Sequence, residues 1–214
     1  FVAPQAVEPD LFARPVSADE IAAFRERHGL PPGSLVLYVG RLVAEKGIDV
    51  LREAWPQVRA PATLMLIGDG PLAARVLQAP HTRLLGPLPR AELPVAYAAA
   101  ELALLPSIPT PRFREPWGLV CNEAMHQARP VLATSTVGAV AGGLVRDEQT
   151  GLVIPPGDSP ALAGAIDRLL DDSRLRARLG AAGQRAASAY TYDAMLAGFD
   201  RALASAMSPS PTGP

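Results

Sequence analysis

Six short apolar runs mark the chain at residues 34–39, 63–67, 82–85, 102–105, 130–134 and 151–154. They lack the apolar–polar alternation of a half-exposed strand, so each reads as a strand buried on both faces, as in a parallel sheet. Between them apolar residues recur at helical spacing. Helices are expected at 19–27, with Ser17 as N-cap, at 48–58, from Pro89 and Arg90 to 99, and at 119–127. Residues 138–145 read as a short helix or turn. Ser159-Pro160 opens a helix to 170, Asp172 or Ser173 caps another to about 190, and Thr191 or Asp193 starts a last one to about 206. Strands alternating with helices predict an α/β fold, a doubly wound parallel sheet with helices on both faces. Residues 1–15 read as an extended, proline-rich linker or domain entry, 16–190 as the sheet domain, 191–207 as a C-terminal helix, and 208–214 as a disordered tail by composition.

Length adds that 214 residues suffice for one large domain, or one domain with an appendage. With 49% hydrophobic and 19% charged residues the chain can build a core, and a net charge of −1 argues against nucleic acid as a partner. One cysteine excludes a disulfide framework and a cysteine-based metal site, and His28, His81 and His126 lack metal-ligand spacing. No apolar run is long enough to cross a bilayer, and no signal peptide opens the chain. The first residue is Phe rather than Met, which reads as a piece of a longer protein.

Ligands of doubly wound sheets gather at the carboxyl ends of the strands. Four candidate loops fall there. Gly40 to Gly47 carries Arg41 and Lys46 between a strand and a helix, a setting for an anion, although an ordinary surface loop would look the same. It lacks the Gly-Lys-Ser/Thr ending of a Walker A loop. Gly68-Asp69-Gly70-Pro71-Leu72-Ala73 fits G-x-G-x-x-A but follows the second strand, so it reads as a tight turn, with Pro71 at helix position N1. Gly86-Pro87 ends the third strand. Glu115 precedes Pro116, which keeps it out of a helix, whereas Glu123 lies about a turn and a half into one. Gly118 would let backbone approach a ligand, and the amides at the helix start favour an anion. Two carboxylates suit sugar and ribose hydroxyls. Trp117 reads as a packed anchor, Cys121 as a buried small hydrophobe and His126 as structural.

Together, Gly40-Arg41-Leu42 with Glu45-Lys46-Gly47, Gly68-Asp69-Gly70-Pro71, Glu115-Pro116-Trp117-Gly118 through Glu123-Ala124-Met125, and Gly151-Leu152-Val153 with Pro155-Pro156-Gly157-Asp158 resemble the donor-binding half of a family-4 retaining glycosyltransferase. Pro4-Gln5-Ala6-Val7-Glu8 followed by Phe12 is similar to the segment where that family's chain crosses between domains. The sequence departs from the family at His126-Gln127-Ala128-Arg129-Pro130, where Ala128 replaces a common Gly, and at Gly138 to Gly143, where a usual Glu is missing.

The resemblance implies a GT-B architecture of two Rossmann-like domains, of which this chain is the C-terminal one, without its N-terminal acceptor-binding partner. It implies a nucleoside-diphosphate sugar as donor, UDP or GDP, with no cofactor and no metal. Glu123 would take the ribose hydroxyls and Glu115 the sugar hydroxyls. Arg41 and Lys46, beside Gly40, would hold the diphosphate with the amides near Gly118, Leu119 and Val120. Leu85, Gly86 and Leu88 would approach the base, and the last helix would pack toward the missing domain. Glu115, Arg41 and Lys46 are the candidate catalytic residues. A cytoplasmic location, possibly peripheral on the inner face of the membrane, would follow. A nucleotide-sugar epimerase and a non-catalytic nucleotide-sugar-binding module are the alternative functions. A glycosidase-like pair of Glu115 and Glu123 is the rival chemistry.

Overall fold

The computed structural model describes residues 3–207; the tail expected at 208–214 lies outside them. Six strands, β1 (Ser34–Val39), β2 (Ala62–Ile67), β3 (Thr82–Leu84), β4 (Leu102–Leu105), β5 (Val131–Thr134) and β6 (Gly151–Ile154), form one sheet. Their order is β3-β2-β1-β4-β5-β6, and each neighbouring pair is parallel. The α-helices among the described residues are α1 (Pro9–Phe12), α2 (Ala18–Arg27), α3 (Ile48–Ala54), α4 (Ala73–Val76), α5 (Leu93–Ala99), α6 (Val120–His126), α7 (Gly138–Ala141), α8 (Ser159–Asp171), α9 (Ser173–Ala187) and α10 (Tyr192–Met207). None of them is long and apolar enough to cross a membrane.

Successive strand residues enter opposite cores. Leu35 and Leu37 of β1 pack with Phe24 of α2, Val95 of α5 and Met125 of α6. Val36 and Tyr38 pack with Leu51 of α3, Val76 of α4 and Ile166 of α8. The strand interiors are therefore buried on both sides, which is why the runs show no alternation. The chain leaves β1 toward α3 on one face and leaves the adjacent β4 toward α6 on the other. Divergent exits from neighbouring strands open a crevice at their carboxyl ends.

Several boundaries differ from the sequence reading for local reasons. The helix expected at 48–58 stays α-helical only to Ala54, because Pro56 lacks an N–H and the chain tightens into a 3-10 turn at Trp55–Gln57. Pro71 does not open α4; Leu72 is the N-cap and Pro71 stands before it. Asp158, not Ser159, caps α8, accepting from the Ala161 amide at 2.8 Å. Ser17 forms the expected cap of α2, completed by Glu20 into a capping box. The N-terminal segment is no free linker: Val7 and Phe12 are buried, and Gln127 Nε2 donates to the carbonyls of Phe12 and Arg14. Phe12 is fully buried with its ring edge-on to Tyr97, a contribution on the order of 2 kcal/mol that helps offset the cost of ordering the segment.

Candidate functional site

The crevice between the exits of β1 and β4 is a cleft of about 420 Å³. Gly40, Arg41 and Lys46 line it from the β1 side, and Glu115, Gly118, Leu119, Val120 and Glu123 from the β4 side. The fold thus brings eight of the sequence-predicted residues to one place.

Charge is distributed unevenly in it. Lys46 and Glu115 form an ion pair whose side chains are only 16% and 7% exposed. Ser107 Oγ donates to the same carboxylate oxygen, Oε2, at 2.9 Å. The Lys46 ammonium also stands 5.2 Å from the centroid of the Phe113 ring, a cation–π contact. Arg41 is largely exposed, with Glu45 at 3.5 Å, and its carbonyl accepts from the buried Tyr38 hydroxyl at 2.7 Å. Glu123 Oε2 accepts from the Tyr97 hydroxyl at 2.6 Å. Burial raises the Glu123 carboxyl above the ordinary carboxylate range, and the Tyr97 bond offsets that only in part. The Tyr97 phenol is pushed well up by its own burial and then by the neighbouring Glu123 charge.

The backbone of the β4 loop is clamped. Gly118 has φ +92°, and a Cβ there would stand 2.3 Å from Leu105 Cδ2, so this position needs glycine for its conformation and for packing. The amides of Gly138 and Ala139 donate to the carbonyls of Glu115 and Trp117 at 3.0 and 2.8 Å. Trp117 is the packed anchor expected: Nε1 donates to Asn122 Oδ1 at 2.8 Å, and its ring lies 5.7 Å from that of Tyr190. Asn122 Nδ2 in turn donates to the Gln5 carbonyl at 2.9 Å, tying the N-terminal segment to the cleft. The amides of Gly118, Leu119 and Val120 have no acceptor among the described residues and remain available to a ligand.

Leu85, Gly86 and Leu88 lie at the same sheet edge but do not line this cleft. The Gly86 carbonyl accepts from the Gly68 amide at 2.9 Å, and Leu85 and Leu88 pack against the core. Cys121 is fully buried, and burial raises its thiol far above the usual range. His126 is buried on the wall of a second, mainly apolar cavity, of about 590 Å³, beside Val7 and Tyr190; burial lowers its imidazole. Sequence reasoning missed Ser107, Tyr97, Leu93 and Gln5. Ser107 had a signal, its place directly after the β4 run and Pro106, and Gln5 stands in the segment similar to the family's interdomain crossing; Tyr97 sits in an apolar helix with nothing to mark its hydroxyl.

A parallel sheet with a charged cleft at its switch point is the layout in which doubly wound domains hold their ligands, and the chain's relatives make this specific. The chain belongs to the glycosyl transferases group 1 family, whose model matches residues 33–172. It is 38% identical over 204 residues to a D-inositol 3-phosphate glycosyltransferase of Xylanimonas cellulosilytica, covering 87% of this chain and 46% of that protein. It is 36% identical over 169 residues to an alpha-D-kanosaminyltransferase of Streptomyces kanamyceticus, covering 74% and 42%. The chain spans about half the length of the curated relatives it matches. Among solved structures it superposes on Anabaena Alr3699/HepE in complex with UDP-glucose, with a TM-score of 0.78 and 25% identity over 94% of this chain and 56% of that one. Sucrose-phosphate synthase from Thermosynechococcus elongatus matches with a TM-score of 0.77 and 32% identity, over 95% and 52%. The sheet is thus the Rossmann-like unit of GT-B glycosyltransferases that the motifs resemble.

Proposed function

We propose that this chain is the donor-binding half of a retaining glycosyltransferase that moves a sugar from a nucleoside-diphosphate sugar to an acceptor hydroxyl. The observation that carries this reading is the meeting of Lys46, Arg41, two carboxylates and three unpaired amides in one cleft. The relatives named for glycosyl transfer, and the neighbour bound to UDP-glucose, support it. Lys46, Arg41 and the amides of Gly118 to Val120 hold the diphosphate. Glu123 takes the ribose hydroxyls, Glu115 the sugar hydroxyls, and the base extends toward Leu85 to Leu88.

As the bond from the sugar C1 to the diphosphate oxygen breaks, its electron pair passes to the phosphate, and the two cations stabilise that growing charge in a partly dry cleft. The acceptor hydroxyl bonds to C1 on the face the diphosphate leaves, and its proton passes to the departing phosphate. Neither glutamate is the nucleophile in these steps, because the acceptor hydroxyl itself attacks C1 on the face the diphosphate leaves. No metal or cofactor is needed for these steps. The acceptor site belongs to the other half of the protein, which acts in the cytoplasm or at the inner face of the membrane.

Calorimetric titration with UDP, GDP and ADP in EDTA, beside Glu123→Ala, tests this. One nucleotide should bind selectively, unaffected by the chelator and weakened in the variant. Failure of well-folded chain to bind any of the three would contradict the reading, and a strict requirement for Mg or Mn would overturn its metal-free part.

A further inference from the structure

Resting on that donor reading, we propose that Ser107 is the positioning residue of Glu115, holding its carboxylate in place when Lys46 turns to the diphosphate. In this structure both Lys46 Nζ and Ser107 Oγ donate to Glu115 Oε2. The other oxygen, Oε1, accepts no hydrogen bond among the described residues, which leaves it for a sugar hydroxyl. Lys46 therefore faces two anions, the carboxylate it now holds and the diphosphate it would bind. A lysine is a flexible point charge and can move between them. Glu115 is 8% exposed, and once the ammonium moves away the carboxylate needs a second donor to stay fixed.

Ser107 is built for that task. It is 1% exposed, directly after β4 and Pro106, and its one hydroxyl proton is committed to Glu115. Its carbonyl accepts from Thr134 Oγ1 at 2.6 Å, at the end of β5. The next amide, Ile108 N, donates to the Glu45 carbonyl at 3.0 Å, in the loop that carries Lys46. Gly47 packs so closely on the Pro106 carbonyl that a Cβ would stand 1.9 Å from the oxygen. Ser107 is thereby fixed to the exits of β1 and β5 at once, while Lys46 keeps its flexible stem.

The test compares affinities for a diphosphate and its sugar conjugate, UDP with UDP-glucose and GDP with GDP-mannose, in wild type, Ser107→Cys and Ser107→Ala. The thiol is near-isosteric and a weak donor. For the pair that binds, the preference for the sugar conjugate should fall about tenfold in Ser107→Ala and less in Ser107→Cys, with affinity for the bare diphosphate changed by less than about twofold. A merely structural role would weaken both ligands equally; that result, or equal behaviour of Cys and Ala, would overturn the assignment of Ser107 and leave the donor reading standing. A wild-type chain that binds a diphosphate with no preference for its sugar conjugate would remove Glu115 from the sugar and the inference with it. Binding of none of the four ligands would overturn the donor reading itself.

Discussion

The loops that follow β1 and β4 and those that follow β2 and β3 share one sheet edge, and each holds glycine at positive φ, yet they do different work. The first pair brings Lys46, Arg41, Glu115 and Glu123 to a cleft. The second pair braces the first. A Cβ on Gly68 would stand 2.0 Å from the Gly40 carbonyl oxygen, and one on Gly70 would stand 2.5 Å from that of Leu42. The Leu42 amide donates to the Asp69 carbonyl at 2.6 Å, and the Gly68 amide to that of Gly86. Glycine there admits a neighbouring backbone rather than a ligand. The difference follows from the winding: β1 and β4 are neighbours whose exits diverge, whereas α3 and α4 after β1 and β2 stay on one face and close the space between them.

Replacing glycines in the bracing loops should separate the two roles most sharply. Gly68→Ala meets a backbone oxygen at φ +132° and should cost on the order of 3 kcal/mol of stability, read from the denaturant midpoint. A loss below about 1 kcal/mol would show that the brace yields. In the cleft, Lys46→Ala should weaken binding of the nucleoside diphosphate by roughly 1.5–3 kcal/mol in calorimetry. Unchanged affinity would remove Lys46 from the site.

The pH dependence comes next in size. Glu123 must be ionised to accept from two hydroxyls, and burial raises its carboxyl. Nucleotide affinity should therefore fall about tenfold per pH unit below a midpoint that lies above the ordinary carboxylate range. Tyr97→Phe removes the bond that lowers this carboxyl, so the midpoint should move up. Folding responds with the opposite sign. The folded state holds this proton more tightly than the unfolded chain, so the group's contribution to stability is largest below the ordinary range and is lost as pH rises through the raised value. A binding profile flat across that window would dissociate Glu123 from the nucleotide. The smallest effect belongs to Gly86→Ala, with φ +73° and open space around it; it should cost about 1 kcal/mol in stability, read from the denaturant midpoint.

The sheet was legible because burial on both faces removes polar positions from the runs; the Ser34–Val39 strand stands where the sequence placed it. The charged residues of the cleft were legible one by one, since a strand end followed by glycine and a cation has a chemical reading. Their pairing was not. Lys46 and Glu115 are 69 positions apart, and nothing local tells that they meet. Gly68 and Gly118 look alike in sequence, and only the third dimension shows that one faces a carbonyl and the other the Leu105 side chain. Phe12 was hidden by its prolines, which read as linker while the ring supplies the burial that docks the segment.

The most direct measurement is amide NMR of the isotope-labelled chain, titrated with UDP-glucose and with GDP-mannose. The account predicts the largest shifts at Gly40 to Lys46 and at Gly118 to Glu123, with smaller ones at Gly68 to Gly70. Shifts centred on the apolar cavity around His126 and Tyr190, with the residues after β1 and β4 unmoved, would contradict it.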